Sequence, residues 1–173
     1  MDYIMNRKMK IIIFELLAGF VLYNLVWSMY VTVTYRPFID KLGGVKRLET
    51  DEYTYSIKTP NYLSFTGNLS ISENVKVYPN DEGINAGSIM IWPKFHNKFL
   101  VAFNVSKTTV NIETRNTHTD IIGIMLDQNK EPDFSVPGVY KLYNENKELF
   151  DSSKEDIEKL YTEAYKTWGI LGP

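Results

Sequence analysis

His96 and His118 are the only imidazoles in the chain and cysteine is absent, so no His/Cys metal-ligand spacing and no disulfide framework can be assembled. No G-x-S-x-G, no phosphate-binding glycine loop and no H-E-x-x-H occurs. The densest polar run, Thr114-Arg115-Asn116-Thr117-His118-Thr119-Asp120, holds the groups of an acid–base pair, although its composition also suits a hairpin turn. The acidic pairs Asp51-Glu52, Asp81-Glu82 and Glu155-Asp156 are adjacent in sequence, which does not aim both carboxyls at one substrate atom and reads as solvated surface. Asn68-Leu69-Ser70 and Asn104-Val105-Ser106 have the form of glycosylation sequons, a pattern with meaning only in a eukaryotic secretory pathway. The expectation is a protein that is not an enzyme, with no catalytic residue, no metal and no cofactor.

Binding is the chemistry that remains. Around Thr108 the sequence alternates, with Val110, Ile112 and Thr114 on one side of a strand and Asn111, Glu113 and Arg115 on the other. Asp120 and Asp127 bound the next strand, and Asp81 and Glu82 fall in a turn-rich loop. These seven residues (Asn111, Glu113, Arg115, Asp120, Asp127, Asp81 and Glu82) are the expected partner-binding set, on a wet sheet face opposite the C-terminal helix. A slightly acidic surface favours a basic protein partner and raises its association rate in a salt-dependent way. A formal net charge of −2 argues against nucleic acid. The aromatic residues Tyr55, Phe103, Tyr161 and Trp168 fall at strand and helix periods and are assigned to the core, whereas Trp92 before Pro93 belongs nearer a rim.

The elements that must position this set are mostly strands. Tyr53, Tyr55 and Ile57 alternate with Thr54, Ser56 and Lys58; Tyr62–Ser72 reads as one long or two short strands, bent at Gly67; and Val75–Tyr78 is another short one. Ser88–Trp92, Lys98–Val105, Thr108–Arg115 and Asp120–Asp127 have the composition of strands, with short polar connections between the last three. Val139–Tyr143 and Leu149-Phe150 are expected to pair across Asn144–Lys147. At the end, Ile157, Leu160, Tyr161, Ala164, Tyr165 and Trp168 keep the 3.6-residue period. Ser152 or Ser153 is placed to cap that helix, and Gly169 to stop it. The fold class is α+β, a mainly antiparallel sheet with one helix packed across one face.

Ahead of this domain, Ile11–Thr34 (IIIFELLAGFVLYNLVWSMYVTVT) carries one charged residue, Glu15. As a helix it reaches about 36 Å, enough to cross a hydrocarbon core of about 30 Å. Its thirteen Ile, Leu, Val and Phe residues favour insertion by on the order of 4–8 kcal/mol, more than one carboxyl costs. No small-x-small cleavage pattern follows, so the segment reads as an uncleaved anchor. The expected organisation is a cytoplasmic tail over 1–10, a transmembrane anchor over 11–34, a juxtamembrane connector over 35–52 and an extracytoplasmic domain over 53–173. Basic residues flank the anchor on both sides. Orientation therefore rests on the short basic tail staying inside, and the soluble domain is expected to fold alone from residue 36 onward.

Phe14-Glu15-Leu16-Leu17 resembles the pilin and pseudopilin signature, in which a glutamate opens a long apolar helix. Lys10 stands where that family has a small residue before its cleavage site, and Val31–Thr34 with Arg36-Pro37 are expected to interrupt the helix. A pseudopilin-like structural subunit is therefore the alternative reading.

Taken together, the anchor, the β-rich outer domain, the run Thr59-Pro60-Asn61-Tyr62-Leu63-Ser64-Phe65-Thr66-Gly67-Asn68-Leu69 and the final Lys166-Thr167-Trp168-Gly169 are similar to the TipC-type immunity proteins. These are membrane-tethered antagonists of toxins exported by type VII secretion in Gram-positive bacteria. The resemblance implies a non-catalytic domain that faces outward and occludes an incoming toxin, such as a lipid II-cleaving phosphatase, through a concave acidic sheet surface.

Overall fold

The computed structural model describes residues 7–74, 84–95, 98–111 and 116–172. It opens with helix α1 (Arg7–Lys41), followed by strands β1 (Arg47–Glu49), β2 (Tyr53–Lys58), β3 (Asn68–Glu73), β4 (Ile84–Pro93), β5 (Phe99–Asn111) and β6 (Asn116–Leu126). Helices α2 (Val139–Glu145), α3 (Lys147–Ser152) and α4 (Lys154–Trp168) close the chain. The strands form one six-stranded meander in sequence order, every neighbour antiparallel, so the expected α+β class is the one observed.

Period-two patterning explains the two faces of this sheet. Tyr55 and Ile57, Leu69 and Ile71, Ile89 and Ile91, Val101, Phe103 and Val105, then Ile124 and Leu126 form a buried apolar layer. Over it pack Ile157, Leu160, Tyr161, Ala164 and Trp168 from α4, with Val139 of α2 and Phe150 of α3. Helix α4 is the amphipathic element the spacing predicts. It ends at Gly169, whose left-handed conformation (φ 68°) lets its N–H return to the Tyr165 carbonyl at 2.7 Å. Its N-terminus differs from expectation: the Ser153 hydroxyl makes no cap bond and instead donates to the Leu149 carbonyl at 2.8 Å, tying α3 to α4.

Four other expectations are corrected. First, α1 does not stop near Thr34 but runs unbroken past Pro37 to Lys41. Pro37 cannot donate to the Val33 carbonyl, yet Val33 is 62% exposed, and burial further along holds the helix together. Tyr35 is 1% exposed, Leu42 just beyond the helix is buried, and Phe38 and Ile39 pack against the same core. Second, the supposed connector over 35–52 is therefore structural, because it supplies the end of α1 and the edge strand β1, and a domain cut at residue 36 would lose Tyr35. Third, Lys98–Val105 and Thr108–Arg115 are not two strands: β5 runs continuously through Phe99–Asn111. Fourth, Val139–Tyr143 and Leu149-Phe150 are helical. Val139, Leu142 and Tyr143 stand at i, i+3 and i+4 on one helical face, whereas a strand would turn Leu142 away from the other two. The expected strand Val75–Tyr78 lies outside the described residues.

Candidate functional site

The helices cover only one side of the sheet. On the other side the register lines up two cross-strand rows, Ser56–Ser70–Met90–Ala102–Met125 and Thr54–Ser72–Ser88–Asn104–Gly123. Most of these side chains are small and polar, and all are half-buried except Ala102, which is buried. Among the described residues no helix packs across them. At the distal edge Arg47 and Glu49 continue the rows, joined by an ion pair of 2.5 Å. Near the centre the Asn104 amide lies over Gly123, where a Cβ would stand 2.5 Å from its Oδ1. The Asn104 Nδ2 is buried without a hydrogen-bond partner, so in the folded domain this amide of the second sequon is inaccessible to a glycosyltransferase. Asn68, the first sequon, directs its Nδ2 to the Met90 sulfur at 3.5 Å.

Of the sequence-predicted binding residues, Asn111, Asp120 and Asp127 fall within the described residues. Glu113, Arg115, Asp81 and Glu82 fall outside the described residues. Asn111 ends β5 opposite Asn116, and Asp120 stands opposite Lys107. Counting along the unshifted β5–β6 ladder, Asp120 shares its row with Ile122, Ile124 and Leu126. That row belongs to the helix side of the sheet, not the opposite side as expected, and Asp120 is exposed there. Asp127 is committed to a turn, its carboxylate accepting from the backbone N–H of Asn129 (2.8 Å) and of Glu131 (3.1 Å). Of the residues that do line the uncovered face, Thr54 and Ser56 are signalled by the alternation in β2, whereas Ser70, Ser72, Ser88 and Asn104 are not singled out by it. Being small and uncharged, they did not stand out as a site.

Tyr161 marks the other end of the sheet, in a cleft of about 590 Å³ with Asp127, Asp133, Lys98 and Leu171. Burial first, then the Asp127 and Glu158 carboxylates, pushes its phenol pKa well above the usual range. The Lys130 ammonium lies 5.4 Å from the ring centroid and pairs with Glu158 at 2.6 Å, which holds the ring between a cation and the core. Among the described residues no group of three or more His, Cys, Asp or Glu side chains could hold a metal ion.

The third feature is the attachment of α1. This is the one described helix long and apolar enough to cross a membrane, and Ile11–Phe14, Leu16, Leu17, Phe20–Leu22, Leu25 and Val26 are exposed along it. The Asn61–Phe65 turn folds back onto it. The Asn61 carboxamide oxygen accepts from the backbone N–H of Leu63 (3.1 Å) and Ser64 (2.8 Å), which shapes the turn. Tyr23 donates to the Tyr62 carbonyl at 2.5 Å, and Tyr62 donates to the Asn24 Oδ1 at 2.7 Å, so the polar residue inside the apolar run has a partner. The Trp27 ring lies 4.5 Å edge-on from Phe65 and 5.6 Å from Tyr62, and Tyr30 lies 5.0 Å from Phe95. Gly67 admits the close approach of α1, since a Cβ there would stand 2.6 Å from the Tyr35 hydroxyl. At the far end the Lys41 ammonium donates to the Trp168 carbonyl and caps α4.

No protein-family model, curated protein or solved structure matches this chain.

Proposed function

We propose that this protein is a membrane-anchored immunity protein that binds an exported antibacterial protein toxin outside the cytoplasm, with α1 as a single-pass anchor and the uncovered sheet face as the docking surface. One observation carries the reading: a broad face of a well-packed sheet is left without a helix. Its side chains are short, so little rotamer entropy is lost when a partner covers them. Met90 and Met125 add adaptable apolar contacts of the kind enriched in interfaces.

The test uses an exported antibacterial toxin, sought among the products of the neighbouring genes. Cells carrying the wild-type protein should survive toxin exposure and cells lacking it should not. Replacing Ser70 and Ser88 with arginine on the uncovered face should abolish binding and protection while leaving the thermal transition intact. Full protection by that folded double variant places the interface elsewhere, and equal killing with and without the wild-type protein removes the immunity role.

The second reading, a pseudopilin-like subunit, is favoured by the unbroken course of α1 past Pro37 into the sheet domain, with Glu15 near its start. Intact mass of the membrane form separates the two. Loss of residues 1–10 with N-methylation of Ile11 supports the subunit, and a full-length mass supports the anchor.

A further inference from the structure

Beside α1, at the level where the Asn61–Phe65 turn grips it, a groove of about 560 Å³ is lined by Val26, Trp27, Tyr30, Phe65, Pro93 and Phe95 and flanked by Lys94 and Lys98. It adjoins a second hollow of about 390 Å³ that shares Tyr30, Phe65, Pro93 and Lys94 and leads toward Trp92, Leu100 and Met125 on the uncovered sheet face. We propose that this groove binds one anionic membrane phospholipid, its acyl chain along Val26, Trp27, Phe65 and Phe95 and its phosphate between Lys94 and Lys98. The proposal rests on the reading of α1 as a membrane anchor.

Three observations converge on that occupant. One wall of the groove is the helix whose exposed apolar side chains would already lie in lipid, so the groove is continuous with that surface. If the hydrocarbon core begins at Ile11, about 20 helical residues bring its outer boundary to Tyr30. The groove then spans the headgroup boundary, the depth at which Trp and Tyr side chains concentrate. Finally, the lining is apolar while the flanking charges are both cationic. Both ammonium groups are on exposed residues, and among the described residues neither has an ion-pair partner. The Lys94 N–H donates to the Lys98 carbonyl at 2.7 Å, which holds the two residues side by side. An apolar slot with two cations at its mouth matches an acyl chain ending in a phosphate diester.

The experiment uses the full chain. Membranes are first washed with alkaline carbonate, and the protein is then purified in mild detergent and exposed to equal amounts of phosphatidylglycerol and phosphatidylcholine for native mass spectrometry. Wild type is expected to stay in the membrane pellet and to retain one phosphatidylglycerol in preference to phosphatidylcholine by on the order of tenfold. The Lys94→Gln, Lys98→Gln double variant should stay in the pellet with a ratio near one. Val26→Trp, which fills the slot, should lose both lipids. Extraction of wild type by carbonate overturns the anchor and the groove with it. Retention in the pellet without a phosphatidylglycerol preference, or with one that survives both variants, overturns the groove alone.

Discussion

Along its first half helix α1 shows its aliphatic side chains to nothing in the protein, with Phe14 72% exposed. From Tyr30 onward the same helix is a core element: Tyr35 is 1% exposed, and Phe38 and Ile39 lie against the sheet. The packed half is the less apolar of the two, carrying Arg36, Asp40 and Lys41, so apolarity alone does not explain which half the protein buries. Residue type does: aliphatic residues give way to Tyr23, Trp27, Tyr30 and Tyr35, whose rings meet the Asn61–Phe65 turn, Phe95 and Gly67. The contrast teaches that burial belongs to the surroundings of a helix and not to its composition, and that a half left bare by the protein needs another medium to cover it.

Truncation puts this contrast to its hardest test. A chain beginning at Ser28 keeps the packed half and is expected to fold and melt cooperatively. A chain beginning at Gly43 loses Tyr35, Phe38, Ile39 and Leu42 and is expected to show no cooperative transition by circular dichroism. Equal cooperativity in both would erase the difference between the halves.

Point substitutions grade it more finely. Trp168→Ala, on the element that meets the end of α1, should cost about 3–5 kcal/mol in denaturant melts; a loss under about 1 kcal/mol would mean that this ring is not part of the core. Gly67→Ala sets a methyl group against the Lys58 carbonyl and the Tyr35 hydroxyl (2.6 Å). It should cost about 1–3 kcal/mol as an overpacking change, and an unaltered midpoint would show that α1 has room to shift. Phe14→Ala, on the bare half, should stay within about 0.5 kcal/mol of wild type in detergent. Between these lies an effect of pH. The folded state holds the Tyr161 proton more tightly than the unfolded chain does, because burial first and then the nearby carboxylates raise its pKa. The unfolded phenol begins to release its proton near pH 10, so stability should be level below about pH 9 and fall as pH rises beyond it. Urea midpoints that stay constant to pH 10.5 would contradict this.

The sequence carried the architecture wherever one period was sustained. Tyr53, Tyr55 and Ile57 alternating with Thr54, Ser56 and Lys58 marked β2 and both of its faces, and fifteen residues of 3.6 periodicity marked α4, whereas of Tyr62–Ser72, read as one long or two short strands, only the part from Asn68 is strand. It misled where local and tertiary forces disagreed. Ser106 and Lys107 resembled a connection because β5 leaves the shelter of the helices there, so polar residues appear without a turn. Pro37 resembled a stop because its cost is local, while the burial of Tyr35 that outweighs it is made with residues distant in sequence. The candidate site was legible in part: the alternation separates the two faces, but which of them the helices would choose depends on packing. Charge drew attention to Asp120, whereas the small side chains of the uncovered face are neutral.

The Asn61–Phe65 turn has a mechanical consequence. A flexible leash lets a domain sweep a hemisphere above its anchor, with a reach set by linker length. Here α1 enters the core without a hinge and is gripped a second time at Tyr23 and Asn24, a bracket fastened at two points. With α1 in a bilayer, the sheet can neither rise nor topple. With the outer boundary at Tyr30, Leu63, 94% exposed at the tip of the turn that grips Tyr23 and Asn24, would be carried about 10 Å into the lipid as a second foothold. The domain then patrols a thin layer by lateral diffusion, at one altitude and one tilt. A partner that lands in that layer meets a surface whose orientational freedom was removed before the encounter.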